Sequence, residues 1–304
     1  MGAPLLEVEV KSVVPELPEV ETLRRGLEQT ALNRRVVDLV VANAKVLKGQ
    51  SEASLRNRVI GKYTTQFRRR GKYLLVTLAD TVTDSPPVPE TSPPSTFLCI
   101  HLKMRGQLRV ENAVSEPGLY HCVSLLLEDA NRNRQVLRFY DMWTWGEFRA
   151  LQKSEIVTLA PSLASMGDEP LEPGWGAVSL KAKLQKRRTA IKPALLDQTV
   201  VAGIGNIYAD ESLFRSRIHP ERPANSLTAE EIERLVDSIR VVLTSAVAGG
   251  GTTSDNYFDV AGQPGRFTPQ VYERGGESCN VCGTVLSRIR LGGRGTVFCE
   301  RCQS

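Results

Sequence analysis

No apolar run in this sequence approaches the length of a bilayer span, which excludes a membrane-spanning helix. Residues Met1 to Val14 lack a basic segment, a long apolar core and a small-residue cleavage site, so they do not read as a secretion signal. No internal repeat of useful length is present, which sets repeat architectures aside. Cysteine is scarce outside the C-terminal tail. Cys99 and Cys122 lie in apolar, strand-like runs and read as buried hydrophobes. A disulfide framework does not fit a basic, signal-free chain. These absences point to a cytoplasmic protein without a membrane partner.

What is present is a chain of 304 residues, enough for one large domain or two medium ones. Its net charge of +5 suits a polyanionic partner. The pairs Cys279-x-x-Cys282 and Cys299-x-x-Cys302 have the spacing of four thiolates around one zinc ion. Such a set closes a tetrahedron with no position left for water, so a structural metal is expected.

Pro18 fits the first turn of a helix over Glu19 to Ala31, with Leu17, Val20, Leu23, Leu27 and Leu32 as its apolar side. Strand-like segments follow at Val36–Val41, Tyr73–Leu78, Phe97–His101, Gln107–Val110, His121–Glu128 and Gln135–Tyr140. Residues 80–96, rich in Pro, Ser and Thr, read as a surface loop. After about residue 150 the pattern turns helical, and Thr228 with Glu231 predicts a capping box. The divisions are an extension at 1–14, a β-rich domain at 15–150, a linker at 151–175, a helical domain at 176–270 and a zinc hairpin at 271–304. The class is α+β.

The run Pro15-Glu16-Leu17-Pro18-Glu19-Val20-Glu21 resembles the mature N-terminus of bacterial formamidopyrimidine-DNA glycosylases. The likeness continues through Thr189-Ala190-Ile191-Lys192-Pro193, then Gly203-Ile204-Gly205-Asn206-Ile207-Tyr208, Gly250-Gly251-Thr252-Thr253, Gly262-Gln263-Pro264-Gly265 and the four cysteines, in the family's order. It implies a β-sandwich followed by a helix–two-turn–helix domain with a zinc-bound hairpin. It also implies a glycosylase and abasic-site lyase acting on oxidised purines in double-stranded DNA, with one structural zinc ion. Nothing in the sequence suggests a dimer.

Carried over residue by residue, the resemblance makes Pro15 the nucleophilic amine and Glu16 the acid–base group. Glu211 becomes a second carboxylate near that amine, and Lys72 a lysine beside the site that contacts phosphate. Asn206, Lys192 and Arg294 belong to the DNA-binding set. Each has a plainer reading. Asn206 is also a helix cap, Glu16 a charge facing a helix dipole, and Lys72 part of a solvated basic edge. Met104 matches the residue that fills the gap left by an extruded base. The next loop departs from the pattern. Where many relatives read Asp-Pro-Arg-Arg-Phe-Gly, this chain has Asp141-Met142-Trp143-Thr144-Trp145-Gly146. Trp145 can replace the aromatic wedge, but Trp143 puts an uncharged indole where an arginine would read the opposite cytosine. Relaxed opposite-base selectivity is the expectation, unless both tryptophans are core residues. Asp255 departs too, standing where relatives often carry a basic residue, and bears on substrate preference.

The position of Pro15 is the largest departure, because a proline nitrogen inside a peptide bond cannot attack a sugar. Val14 supplies an account: GTG encodes valine internally and methionine at initiation, so a start there yields Met-Pro-Glu-Leu-Pro and then a free proline. Two other functions remain open at this point. One is an endonuclease VIII-like enzyme for oxidised pyrimidines, disfavoured by Leu17 where glycine is usual. The other is a non-catalytic protein that binds damaged DNA.

Overall fold

The structure, a computed structural model, describes residues 14–82, 96–253 and 257–304. The readings made for residues 1–13, for most of the loop at 80–96 and for Asp255 lie outside the described residues.

Helix α1 (Leu17–Ala31) carries Pro18 in its first turn and buries Leu17, Val20, Leu23, Leu27 and Ala31. Leu32, expected on that face, lies past the helix end and is exposed, where Asn33 turns the chain at φ +56°. There follow β1 (Arg35–Val41), α2 (Glu52–Val59), β2 (Tyr63–Arg70), β3 (Tyr73–Ala79), β4 (Thr96–His101), β5 (Gly106–Asn112), β6 (His121–Glu128), β7 (Arg134–Asp141) and β8 (Glu147–Gln152).

Among the described residues these strands pair antiparallel in the order β5-β7-β6-β1-β2-β3-β4-β8. The sheet folds over at its middle, where β1 and β2 share a single register pair, Arg35 with Tyr63. Its two leaves face each other as a sandwich. Leu39, Leu125 and Phe139 from one leaf share a core with Val76, Ile100 and Phe148 from the other. Strand β2 was not read from the sequence because a bulge between Thr64 and Gln66 breaks its alternation, leaving Thr64 and Phe67 as the inward pair.

The linker holds two short helices, α3 (Ile156–Leu159) and α4 (Pro161–Ala164). The helical domain comprises α5 (Ala177–Leu184), α6 (Ile191–Leu196), α7 (Asn206–Ser216) and α8 (Ala229–Ala248). The capping box forms as expected: Glu231 N–H donates to Thr228 Oγ1 at 3.2 Å, and Thr228 N–H donates to Glu231 Oε2 at 2.8 Å. Strands β9 (Ser287–Leu291) and β10 (Arg294–Phe298) close the chain as a hairpin. Gly292 and Gly293 join them, both at the positive φ that a two-residue type I′ turn demands.

The two large cores are separate but interlocked. Leu17, at the start of α1, packs into the helical core, while Tyr257 and Val260 return to the sandwich core. The helical domain is therefore not one uninterrupted stretch of sequence. No helix among the described residues is long and apolar enough to cross a membrane.

Candidate active site

The seam between the domains is built around Glu16. Its carboxylate projects from the N-cap of α1 and accepts from the backbone N–H groups of Gly205 at 2.7 Å, Ile207 at 3.0 Å and Tyr208 at 3.4 Å. These are the N–H groups a helix start offers to an anion. Here an internal carboxylate takes them. Gly205 permits the approach: any Cβ on it would overlap the Glu16 carboxylate and Lys72 Nζ. Its backbone is extended (φ −131°), so the requirement is for space, and the left-handed turn falls at Gly203 instead (φ +84°).

Burial pushes the Glu16 carboxyl up to about 7, with Glu19 adding to the rise and Lys72 and the N–H groups opposing it. Lys72 moves the other way. Desolvation lowers its ammonium, Arg294 adds to the fall, and Glu16 and Glu19 oppose it. An acid and an amine that are each nearer neutrality than usual suit proton handling near pH 7. Val14, Glu16, Lys72, Asn206, Tyr272 and Arg294 line one pocket of about 130 Å³. Pro15 is buried at its edge, and Val14, bonded to the proline nitrogen, forms part of the wall.

Glu19 was missed from the sequence. It is fully buried, and its Oε2 accepts from Glu16 N–H at 2.9 Å. Its Oε1 accepts from Tyr208 Oη–H at 2.6 Å and Thr252 N–H at 2.9 Å. The Glu16-x-x-Glu19 spacing, a carboxylate three residues into a helix, was the available signal. Glu211 does not line the pocket. Its oxygens accept from the N–H groups of Gln270, Val271 and Tyr272 at 2.8, 2.8 and 2.9 Å, fixing the segment that brings Tyr272 to the wall. Burial raises the Glu211 carboxyl against those N–H groups.

Lys192 needs correction as a DNA contact. It is 0% exposed, ion-paired to buried Asp210 at 2.7 Å, and its Nζ donates to Gly295 O and Thr296 Oγ1, both at 2.8 Å. It therefore fixes the hairpin that carries exposed Arg294 and does not present itself to a phosphate. Lys192→Met is expected to cost about 3–5 kcal/mol, since Asp210 loses its partner while buried. Urea unfolding measures this, and a midpoint equal to the parent's would refute the pairing.

The four expected metal ligands converge. Their Sγ atoms lie within 4.8 Å of one another, with Cys279–Cys302 at 4.0 Å and Cys282–Cys299 at 3.5 Å. A tetrahedral ion with Zn–S bonds near 2.3 Å requires sulfur separations of about 3.8 Å, so the set fits zinc. Beneath it lies only a small core of Phe214, Val271, Leu286 and Val297. The metal is therefore the main support of the hairpin. Chelation is expected to abolish tight binding to an abasic duplex while the sandwich stays folded. Fluorescence anisotropy before and after zinc release measures it, and unchanged affinity would contradict this role. Cys99 and Cys122 are buried as expected, and burial pushes the Cys99 thiol up to about 12, leaving it inert.

The departing loop faces outward. Buried Asp141 gathers it, with Oδ1 accepting from Trp143 N–H at 3.0 Å and Oδ2 from Gly146 N–H at 2.6 Å. Trp143 and Trp145 are 36% and 54% exposed, which rules out the core reading. Their ring centroids lie 5.0 Å apart. Met104 is half-buried in the turn between β4 and β5.

The chain thus joins a β-rich and a helical domain across a seam that holds a buried acid and a half-buried lysine, with an exposed tryptophan pair on one side and a four-cysteine hairpin on the other. Family models for the formamidopyrimidine-DNA glycosylase N-terminal domain, its H2TH domain, and a zinc finger found in FPG and IleRS match residues 14–148, 166–257 and 276–304. A formamidopyrimidine-DNA glycosylase of Desulfitobacterium hafniense is 42% identical over 95% of this chain and 100% of its own, and one of Thermosynechococcus vestitus is 41% identical over 95% and 97%. A Lactococcus lactis FPG mutant bound to Fapy-dG-containing DNA superposes with a TM-score of 0.82 at 30% identity, covering 95% of this chain and 100% of its own. The wild-type enzyme on oxidised-pyrimidine DNA gives 0.81 at 30% identity, with the same coverage. The chain belongs to the formamidopyrimidine-DNA glycosylase family.

Proposed function

We propose that the active form begins at Pro15 and excises 8-oxoguanine and formamidopyrimidines from duplex DNA. The observation that carries this is the pocket in which Glu16, Lys72, Asn206 and Arg294 meet beside Pro15. The freed amine attacks the anomeric carbon, and the base departs with the glycosidic electron pair, taking a proton that Glu16 helps to supply. The amine then loses its proton, and the C1′–O4′ bond breaks as O4′ takes one, so the sugar ring opens to an iminium that acidifies the adjacent carbon, whose proton is lost as the 3′ phosphate leaves. A second elimination releases the 5′ phosphate. Lys72 and Arg294 hold phosphates, and Asn206 donates its amide to another. Met104 and Trp145 fill the gap left by the extruded base. Glu211 positions the pocket wall and does not transfer protons.

Initiation at Val14 accounts for the start. It is supported by a family model that begins at residue 14 and by relatives matched at full length to 95% of this chain. The protein acts as a cytoplasmic monomer. Oxidised pyrimidines are a second substrate class, favoured by the related complex solved with such DNA. Borohydride trapping of the form beginning at Pro15 on an 8-oxoguanine duplex tests the proposal. A covalent complex is expected, and its absence would overturn the reading.

A further inference from the structure

We propose that the groove between α7, α8 and the zinc hairpin docks a partner protein, through a peptide segment that carries carboxylates beside a large apolar side chain. The groove holds about 630 Å³, within the range of roughly 300–1,000 Å³ common to binding clefts. It shares no lining residue with the pocket at Glu16. Helix α7 separates the two. Asn206, in its first turn, lines the pocket, while Phe214, Arg215 and Arg217, at its other end, line the groove. Eleven residues of helix, rising ~1.5 Å each, put about 15 Å between them.

The groove is apolar within and basic at its rim. Phe214 is buried and Phe267 half-buried, whereas Val241 of α8 and Val281 of the hairpin are 42% and 68% exposed. A lone exposed valine means little, but two on separate elements over one concavity mark a surface that can be covered. Val281 stands between Cys279 and Cys282, and Arg301 between Cys299 and Cys302, so both cysteine turns send a residue to the same groove. Arg215, Arg217 and Arg301 are all exposed. Among the described residues none of these three guanidinium groups pairs with a carboxylate or donates to a thiolate. Other arginines of this domain are held internally: Arg222 donates to Glu231 at 3.0 Å and Arg234 to the Ser216 carbonyl at 2.7 Å. Glu230, Glu233 and Asp237 border Arg215 on the α8 side and repel an acid there. The carboxylates of the guest therefore belong beside Arg217 and Arg301.

This pairing of charge and apolar surface selects the occupant. DNA phosphates would satisfy the arginines but gain nothing by covering valine and phenylalanine. An acidic segment with an apolar anchor uses both, since guanidinium–carboxylate pairs orient it and the anchor leaves water. Docking there leaves the seam open, so partner and DNA can be held together.

The test uses the full zinc-loaded protein and a fluorescein-labelled probe, the peptide Gly-Glu-Asp-Glu-Leu-Phe, read by anisotropy. Saturable binding is expected, unchanged by a saturating abasic duplex. Replacing the probe's leucine and phenylalanine by serine, or its acids by their amides, should weaken binding by about tenfold or more. Val281→Ser and Arg301→Gln should each do the same, with zinc content and affinity for the duplex at the parent's level. If Arg301→Gln loses zinc, Arg217→Gln on α7 takes its place. Displacement of the probe by the duplex would make the groove part of the DNA surface. Equal binding of the serine probe would make it a general anion surface. Either result, or no saturable binding, overturns the proposal.

Discussion

Started at Pro15, the protein is expected to yield a borohydride-stable complex with an 8-oxoguanine duplex, whereas the chain carrying Val14 ahead of it yields none. The difference is all-or-none because of the nitrogen's bonding. Amide resonance, which sets a rotation barrier of ~18–20 kcal/mol, withholds the lone pair that must attack. Attack would also leave a nitrogen bonded to four carbons with no proton to lose, so no iminium can form while Val14 stays attached. Val14 adds a second obstacle, since it forms part of the pocket wall where the sugar must enter. The two forms, purified without tags and confirmed by N-terminal sequencing, need only be compared on one gel. Trapping by the longer form would assign the amine to Lys72, whose ammonium is already lowered by desolvation. Binding without trapping by either form would favour a sensor of damage over an enzyme.

Glu16→Gln is expected to slow base excision by about 10²–10⁴-fold at neutral pH, the usual worth of a positioned proton donor. The pH profile carries the sharper signature. With its carboxyl at about 7, Glu16 is half protonated near neutrality, so excision that depends on its acid form falls as pH rises through that value. That limb should vanish in the amide variant. Stability follows the same group. The folded value lies above the ordinary 4.5, so the folded chain binds the proton more tightly between those limits. This contribution is complete below about 4.5 and is lost as pH rises to about 7. Urea midpoints at pH 5 and pH 8 should therefore lie closer together in the variant than in the parent. An unchanged rate profile in Glu16→Gln would remove Glu16 from proton transfer.

Much of the site was legible because its parts carry local signatures. Pro15-Glu16, the cysteine pairs and the Gly203–Tyr208 run each state their chemistry within a few residues, and Thr228 with Glu231 states a helix start. What escaped depends on partners distant in the chain. Glu19 meets Tyr208 and Thr252, and nothing near it in sequence announces either contact. Lys192 looks like any basic residue before a proline until Asp210 and the hairpin close over it. Nothing around Gly205 announces its role, which is to be small against Glu16. Strand β2 hid behind its bulge and its arginines. The two tryptophans left both outcomes open, and Asp141 turns them outward by gathering the loop backbone.

The grip of Glu16 on the start of α7 also bears on how such a protein can diversify. The carboxylate is encoded at one end of the chain and its three N–H partners near residue 205, with Glu19 repeating the arrangement against Tyr208 and Thr252. A crossover between relatives that exchanged only the helical half would bring a new socket to an old acid. Recombinants should survive when both sides of the seam keep the same shape, Gly205 above all. Each half is then free to drift on its outer surfaces, such as the loop of Trp143 and Trp145, while the join between them stays fixed.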